Sequence, residues 1–245
     1  MMNGIGLVPD IIEQTDDYVV IVKPAGLLVH PADSSPDEPT LVDWLVEKFP
    51  QIKTVGDEPE LRPGIVHRLD REASGLMVIA LNQKTLDALK MQFQDRTIEK
   101  EYLVLVHGKM LREFGEINLP IGRMSRGGRM AAHSSNYEEG SEARTEYFVE
   151  KRFSTTTLLR VHIHTGRTHQ IRVHMFSLQH PVVGDTLYPL KKFGKTKMGK
   201  AFPLPPRLCL HAARLVFTDK TGARKEFLAE LPPDFANYLT QFKAV

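Results

Sequence analysis

The feature that most constrains this chain is a succession of short apolar runs, each ended by charge, glycine or proline. YVVIVK (18–23), GLMVIAL (75–81), YLVLVHG (102–108) and TLLRVHI (157–163) read as strands, the last with the alternation of a half-buried one. ARLVFTD (213–219) and KEFLAEL (225–231) flank Lys220, Thr221 and Gly222 and predict a closing hairpin. Helices fall irregularly among these strands. Thr40 after Pro39 predicts an N-cap, with Leu41, Trp44, Leu45 and Phe49 at helical spacing. Residues 83–94 carry Leu86, Leu89 and Phe93 on one face, and Thr168 is expected to cap a helix through about Leu178. Residues 51–64, punctuated by Pro59, Pro63 and Gly64, read as loop. Residues 122–142, rich in Gly, Ser and Arg, read as an exposed excursion or hairpin, and 189–207, with five lysines and four prolines, as a mobile basic loop. Dominant short strands with irregular helices favour an α+β fold over a doubly wound sheet. With no repeat and no linker, a single domain over 1–245 is expected.

Composition narrows the class. The single cysteine, Cys209, excludes an intrachain disulfide framework and a cysteine-rich zinc site. The opening residues lack a basic start followed by an apolar core, and no apolar run approaches the roughly 20 residues of a membrane helix. The expectation is a cytoplasmic protein without a membrane partner. The net charge of +2 hides an asymmetry: residues 160–214 hold ten Lys or Arg and one acid, Asp185, for a local +9 against −7 elsewhere. One basic region on a near-neutral protein suggests a polyanion partner, nucleic acid first, or a solvated face with none.

Three segments set unusual polar residues among apolar ones. In IVHRLDREASGLMVIA (65–80), Asp70 lies among His67, Arg68 and Arg71. A carboxylate flanked by guanidinium groups stays ionised and suits a nucleophile or general base; a structural ion pair is the plainer alternative. In VHIHTGRTHQIRVHMF (161–176), a helix from about Thr168 puts His169, Arg172 and Phe176 on one face, away from Gln170 and His174. Four histidines invite a metal reading, but His169 and His174 are five apart where a helical zinc pair needs four, and no acid lies in the segment; no metal is expected. Arg172 is instead read as gripping a phosphate or the catalytic carboxylate, and the GRT amides as facing an anion. In KEYLVLV (100–106), Tyr102 is either ordinary core or a platform for a base.

Together these segments resemble the RluA-type pseudouridine synthase family. VIVKPAGLLVHP (20–31) is similar to its opening motif, HRLDREASGLMVIA (67–80) to its catalytic motif, KEY (100–102) to its Lys-x-Tyr element and HTGRTHQIRVHMFSLQHPVVGDTLY (164–188) to its long third motif. RLCLHAARLVF with the following turn and FLAELP resembles its C-terminal hairpin, so the likeness covers nearly all of 17–235. Two departures stand out: the opening motif begins by residue 20, leaving no room for the family's small N-terminal RNA-binding module, and Ala73 stands where Thr or Ser is common.

The resemblance implies an α+β catalytic domain with a central, largely antiparallel sheet and an RNA cleft across it. It implies isomerisation of uridine in ribosomal or transfer RNA, with Asp70 as nucleophile, Tyr102 lining the base pocket and Arg172 paired with Asp70. Arg68, His67, Arg167, His169 and Gln170 are the expected substrate-binding residues, Arg68 helping to displace the target nucleotide; Lys100 is structural. The chemistry needs neither cofactor nor metal. Arg123, Arg126, Arg129, Lys191, Lys192, Lys195, Lys197 and Lys200 are the expected backbone-phosphate contacts. A monomer is the default. One rival is a non-catalytic RNA-binding or RNA-folding protein on the same scaffold, which predicts a replaced Asp or Arg. Another is a glycoside hydrolase, which needs a second carboxylate; Glu72 is read as exposed and Asp185 as part of a Gly-Asp turn, so neither qualifies.

Overall fold

The computed structural model describes residues 7–31, 37–124, 129–133, 140–189 and 205–245. In chain order the strands are β1 (Asp10–Gln14), β2 (Tyr18–Lys23), β3 (Ser74–Ala80), β4 (Glu99–His107), β5 (Phe114–Ile117), β6 (Ile121–Arg123), β7 (Met130–Ala132), β8 (Thr145–Arg152), β9 (Thr156–Ile163), β10 (Leu210–Thr218) and β11 (Arg224–Leu228). The helices are α1 (Leu41–Lys48), α2 (Gln83–Gln94), α3 (Gln170–Ser177) and α4 (Pro233–Leu239). The expected α+β class, with largely antiparallel strands, is the one observed. Contacts group the chain into two compact units, Met1–Glu99 with Ala212–Ala229, and Lys100–His211 with Glu230–Val245.

In the first unit β1, β2, β3 and β10 follow one another, with β11 on β10. Antiparallel pairing of β2 and β3 runs from Tyr18 opposite Ala80 to Lys23 opposite Gly75. Both strands are buried on both faces, which is why they read as continuous Val/Ile/Leu runs. Tyr18, Val20, Leu76 and Val78 meet Leu86 and Leu89 of α2 with Phe217 and Phe227 of β10 and β11. Each such side chain, fully buried, contributes about 1.5–3 kcal/mol. Thr40 caps α1 as expected: its hydroxyl accepts the Asp43 N–H, and the Asp43 carboxylate accepts the Thr40 N–H at 2.8 Å. Gly75 is obligatory. Its φ is +124°, and a Cβ there would lie 2.3 Å from the Ala212 carbonyl oxygen, so β3 and β10 approach through the missing side chain.

In the second unit the order is β4, β9, β8, β5, all antiparallel, and β6–β7 is a separate two-stranded ribbon. Thus 122–142 does contain a hairpin; Arg123 and Arg129 are exposed at its described end, and Arg126 lies outside the described residues. Leu105, Phe153, Val183 and Cys209 pack with Phe235 and Tyr238 of α4, and Ile121, Ala143, Val173 and Tyr188 form a second cluster under the ribbon. The cap of α3 differs from expectation. His169, not Thr168, holds the N-cap position, in the left-handed region at φ +56°, and makes no capping bond. Gln170, the first helical residue, ties down the loop before it: its Oε1 accepts the Arg167 N–H and the Thr165 hydroxyl.

The +9 region is not a basic face in the described residues. Arg160 pairs with Glu150, Arg172 with Asp185, Arg207 with Asp234, and Arg214 with Glu99 and Glu226. All these acids but Asp185 come from outside the window. The excess charge therefore falls to Arg167 and to Lys191, Lys192, Lys195, Lys197 and Lys200, all five lysines lying outside the described residues. No described helix is long and apolar enough to cross a membrane.

Candidate functional site

In the first unit Asp70 sits half-buried on the loop leading into β3, between the buried side chains of Leu69 and Ala73. The Ala73 N–H donates to the Asp70 carbonyl at 3.2 Å and closes the turn. The arginines adjacent in sequence are not built around the carboxylate. Arg68 reaches Nε2 of His30 at 2.8 Å, and Arg71 donates to the Gly26 carbonyl and pairs with Glu38. Glu72, expected to be exposed, is half-buried.

What fixes the loop is Lys23, which does not stand out in the sequence. Lys23 is 0% exposed, and its ammonium donates to the carbonyls of Pro24 (2.9 Å), Leu27 (2.8 Å) and Arg71 (3.1 Å). The Arg71 carbonyl also accepts the Gly26 N–H at 2.7 Å. The KPAG turn and the peptide following Asp70 are thus tied to one buried cation. His67 faces inward: Nε2 accepts the Val78 N–H at 3.1 Å and the ring lies on Phe93. That commits Nε2 to holding β3.

In the second unit Tyr102 is 7% exposed on β4, opposite Val161 of β9. Lys100, two residues earlier and so on the same face, is desolvated, which pushes its ammonium down to about 8. Arg172 is 1% exposed on α3, and its Nε and Nη2 donate to the Asp185 carboxylate at 2.7 and 2.9 Å. Asp185 is itself 0% exposed in its side chain, and its Oδ1 also accepts the N–H groups of Leu187 and Tyr188. The Tyr188 ring covers the guanidinium, 5.4 Å from Cζ. Gly184 makes this turn possible: at φ +83° a Cβ would lie 2.0 Å from the Arg207 carbonyl oxygen. Asp185, expected only as part of a Gly-Asp turn, is corrected to the buried partner of Arg172. The signal present in sequence was that it is the lone acid of the basic window, three residues before a tyrosine.

The rest of the long third motif divides. Gln170 and His174 both bond Thr145 of β8, away from Arg172, as the helical spacing predicts. Gln170 is bonded within the fold: its Oε1 accepts two hydrogen bonds and its Nε2 donates two, to the Arg144 carbonyl and Thr145. His169 lies 2.9 Å from the Tyr188 hydroxyl, and exposed Arg167 donates to the Glu142 carbonyl. His162 lies beside Glu101 and His164 beside Glu146, so the four histidines go to four different settings. Among the described residues no three His, Cys, Asp or Glu cluster as metal ligands.

A mainly antiparallel α+β chain with an aspartate loop pinned by a buried lysine, and an arginine locked on a buried helix, defines a class that the comparisons make specific. The profile of the RNA pseudouridylate synthase family matches residues 17–177, which include Asp70, Tyr102 and Arg172, and the chain belongs to that family. It is 45% identical over 190 residues to an uncharacterized RNA pseudouridine synthase of Aquifex aeolicus, covering 74% of this chain and 56% of that one. It is 40% identical over 234 residues to the ribosomal large subunit pseudouridine synthase D of Nitrosomonas europaea, covering 91% and 62%. Among solved structures, human RNA pseudouridylate synthase domain containing 1 superposes with a TM-score of 0.76 at 26% identity, covering 100% of this chain and 92% of that one. The chain thus spans less than two thirds of the length of these two bacterial relatives.

Proposed function

We propose that residues 1–245 act as one catalytic domain, a cytoplasmic monomer that isomerises specific uridines of ribosomal or transfer RNA to pseudouridine. Asp70 is the nucleophile, Arg172 holds it ionised and aimed, and Tyr102 stacks on the uracil. The observation that carries this reading is the buried guanidinium of Arg172. Its Nε and Nη2 donate to the buried Asp185 carboxylate, which sets the plane of the guanidinium. The reaction breaks the bond from ribose to uracil nitrogen 1, turns the base and rejoins the ribose to carbon 5. An ionised Asp70 serves each route: attack at the anomeric carbon, proton abstraction from the neighbouring ribose carbon, or addition to the base. The site must restrict water, whose attack would compete with rejoining.

The named relatives act on the ribosomal large subunit, which puts that RNA first to test, ahead of a transfer RNA stem-loop. Pseudouridine mapping of total RNA from cells with and without the protein is expected to lose one or a few positions on its removal. An unchanged map in both RNA classes would refute the proposal.

Arg68 and Arg167 are exposed and suited to the displaced nucleotide and its flanking phosphates, with Arg123 and Arg129 on the ribbon and the 191–200 lysines gripping the backbone. Replacing Arg123 and Arg129 by Gln is expected to weaken RNA binding. The slope of log affinity against log salt is expected to fall by about 0.7–0.9 for each phosphate that is no longer neutralised. A slope identical to that of the parent protein would remove the ribbon from the interface.

A further inference from the structure

The Arg172–Asp185 pair is built differently from an ordinary buried ion pair. Asp185 does not depend on the arginine for its orientation: the Leu187 and Tyr188 N–H groups hold Oδ1 at 2.8 and 3.0 Å, and Gly184 admits the turn beneath the Arg207 carbonyl. The arginine, in contrast, takes its plane from Asp185 along one edge and from the Tyr188 ring on one face. The Tyr188 hydroxyl accepts the Met130 N–H at 3.2 Å and meets His169 Nδ1 at 2.9 Å, so the same turn is fastened to the β6–β7 ribbon and to the start of α3. Replacing a buried ion pair by apolar residues is often neutral or stabilising, so stability alone is a weak reason for this one. A preset guanidinium is a strong reason where an arginine must serve a reacting carboxylate, because misplacement by about 1 Å costs as much as 100-fold in rate.

We propose that Asp185 is a positioning residue for uridine isomerisation: through Nε and Nη2 it fixes the plane of the buried Arg172 guanidinium, the group the reaction uses. The inference rests on the synthase reading above. Asp185→Asn keeps an acceptor for the turn and removes the charge that sets the arginine. Its single-turnover rate of tritium release from RNA labelled at uridine carbon 5 is expected to fall about 10- to 100-fold, with RNA affinity within about twofold of the parent. Its effect is also expected to vanish in an Arg172→Lys background, because both changes break one unit. A merely structural role would move the melting temperature and leave rate and coupling alone. A parental rate in Asp185→Asn, or losses that multiply with those of Arg172→Lys, would overturn the proposal. If Asp185→Asn does not fold, Asp185→Glu takes its place: charge is kept, the carboxylate is displaced, and a parental rate in the folded variant is equally fatal. Asp70→Asn run alongside separates the two levels. An inactive Asp70→Asn with a fully active Asp185→Asn leaves the synthase reading standing and removes only this inference; an active Asp70→Asn removes both.

Discussion

Asp70→Asn is expected to reduce tritium release from uridine-labelled RNA to background while the protein still folds cooperatively and still binds RNA within about threefold. The substitution is nearly isosteric, and the Asp70 carbonyl that accepts the Ala73 N–H is untouched by it. What is lost is the negative charge, on which every route from uridine to pseudouridine depends: an amide neither attacks the anomeric carbon nor takes a ribose proton at neutral pH. Loss of the proposed reacting carboxylate is expected to remove the reaction itself, a larger effect than any positioning change elsewhere in the chain. The product assay discriminates further. A glycoside hydrolase built on the same aspartate would release free uracil without forming pseudouridine, and a non-catalytic RNA-binding protein would show no turnover in the parent chain. Pseudouridine formed at the parental rate by Asp70→Asn would refute its assignment as nucleophile.

How much of this was legible in sequence depended on whether the cause was local. β2 and β3 were readable because strands buried on both faces are apolar at every position. β8, TEYFVEKR, escaped because its inward residues Thr145 and Tyr147 alternate with Glu146 and Phe148, and a bulge between Val149 and Lys151 breaks the period. β1 and β5 are short and largely exposed, so their composition is that of loops. The start of α3 lies one residue later than expected because His169, in the left-handed region, takes the N-cap position in place of Thr168. At the site, Asp70, Tyr102 and Arg172 stood out because each is a polar group set in an apolar run. Lys23 and Asp185 did not, because their partners are backbone groups and an arginine thirteen residues away, and neither kind of partner leaves a pattern in composition. A count along the chain also cannot see the acids of α4, β4, β8 and β11 that pair with Arg160, Arg207 and Arg214 of the basic window.

Lys23→Met is expected to be the most damaging substitution outside the reacting groups, in stability and in rate together. Methionine nearly matches the length of the lysine stem, so packing around β2 survives and the change isolates the ammonium. Removing it leaves the carbonyls of Pro24, Leu27 and Arg71 without that donor, and a buried polar group left unsatisfied costs about 1–3 kcal/mol. The Arg71 carbonyl keeps the Gly26 N–H, so the full cost falls on the other two, about 3 kcal/mol in total. For a chain of this length that is a fall of about 6–12 °C in the melting temperature. The rate is expected to drop further than stability explains, because the ammonium is one of two donors on the carbonyl that follows Asp70, and a carboxylate free to move by about 1 Å loses as much as 100-fold. Thermal unfolding and single-turnover tritium release, measured well below the new melting temperature, separate the two effects. A variant that melts early but turns over at the parental rate would show that Lys23 supports the first unit without positioning Asp70. One that melts and turns over like the parent would show that its three carbonyls find other donors.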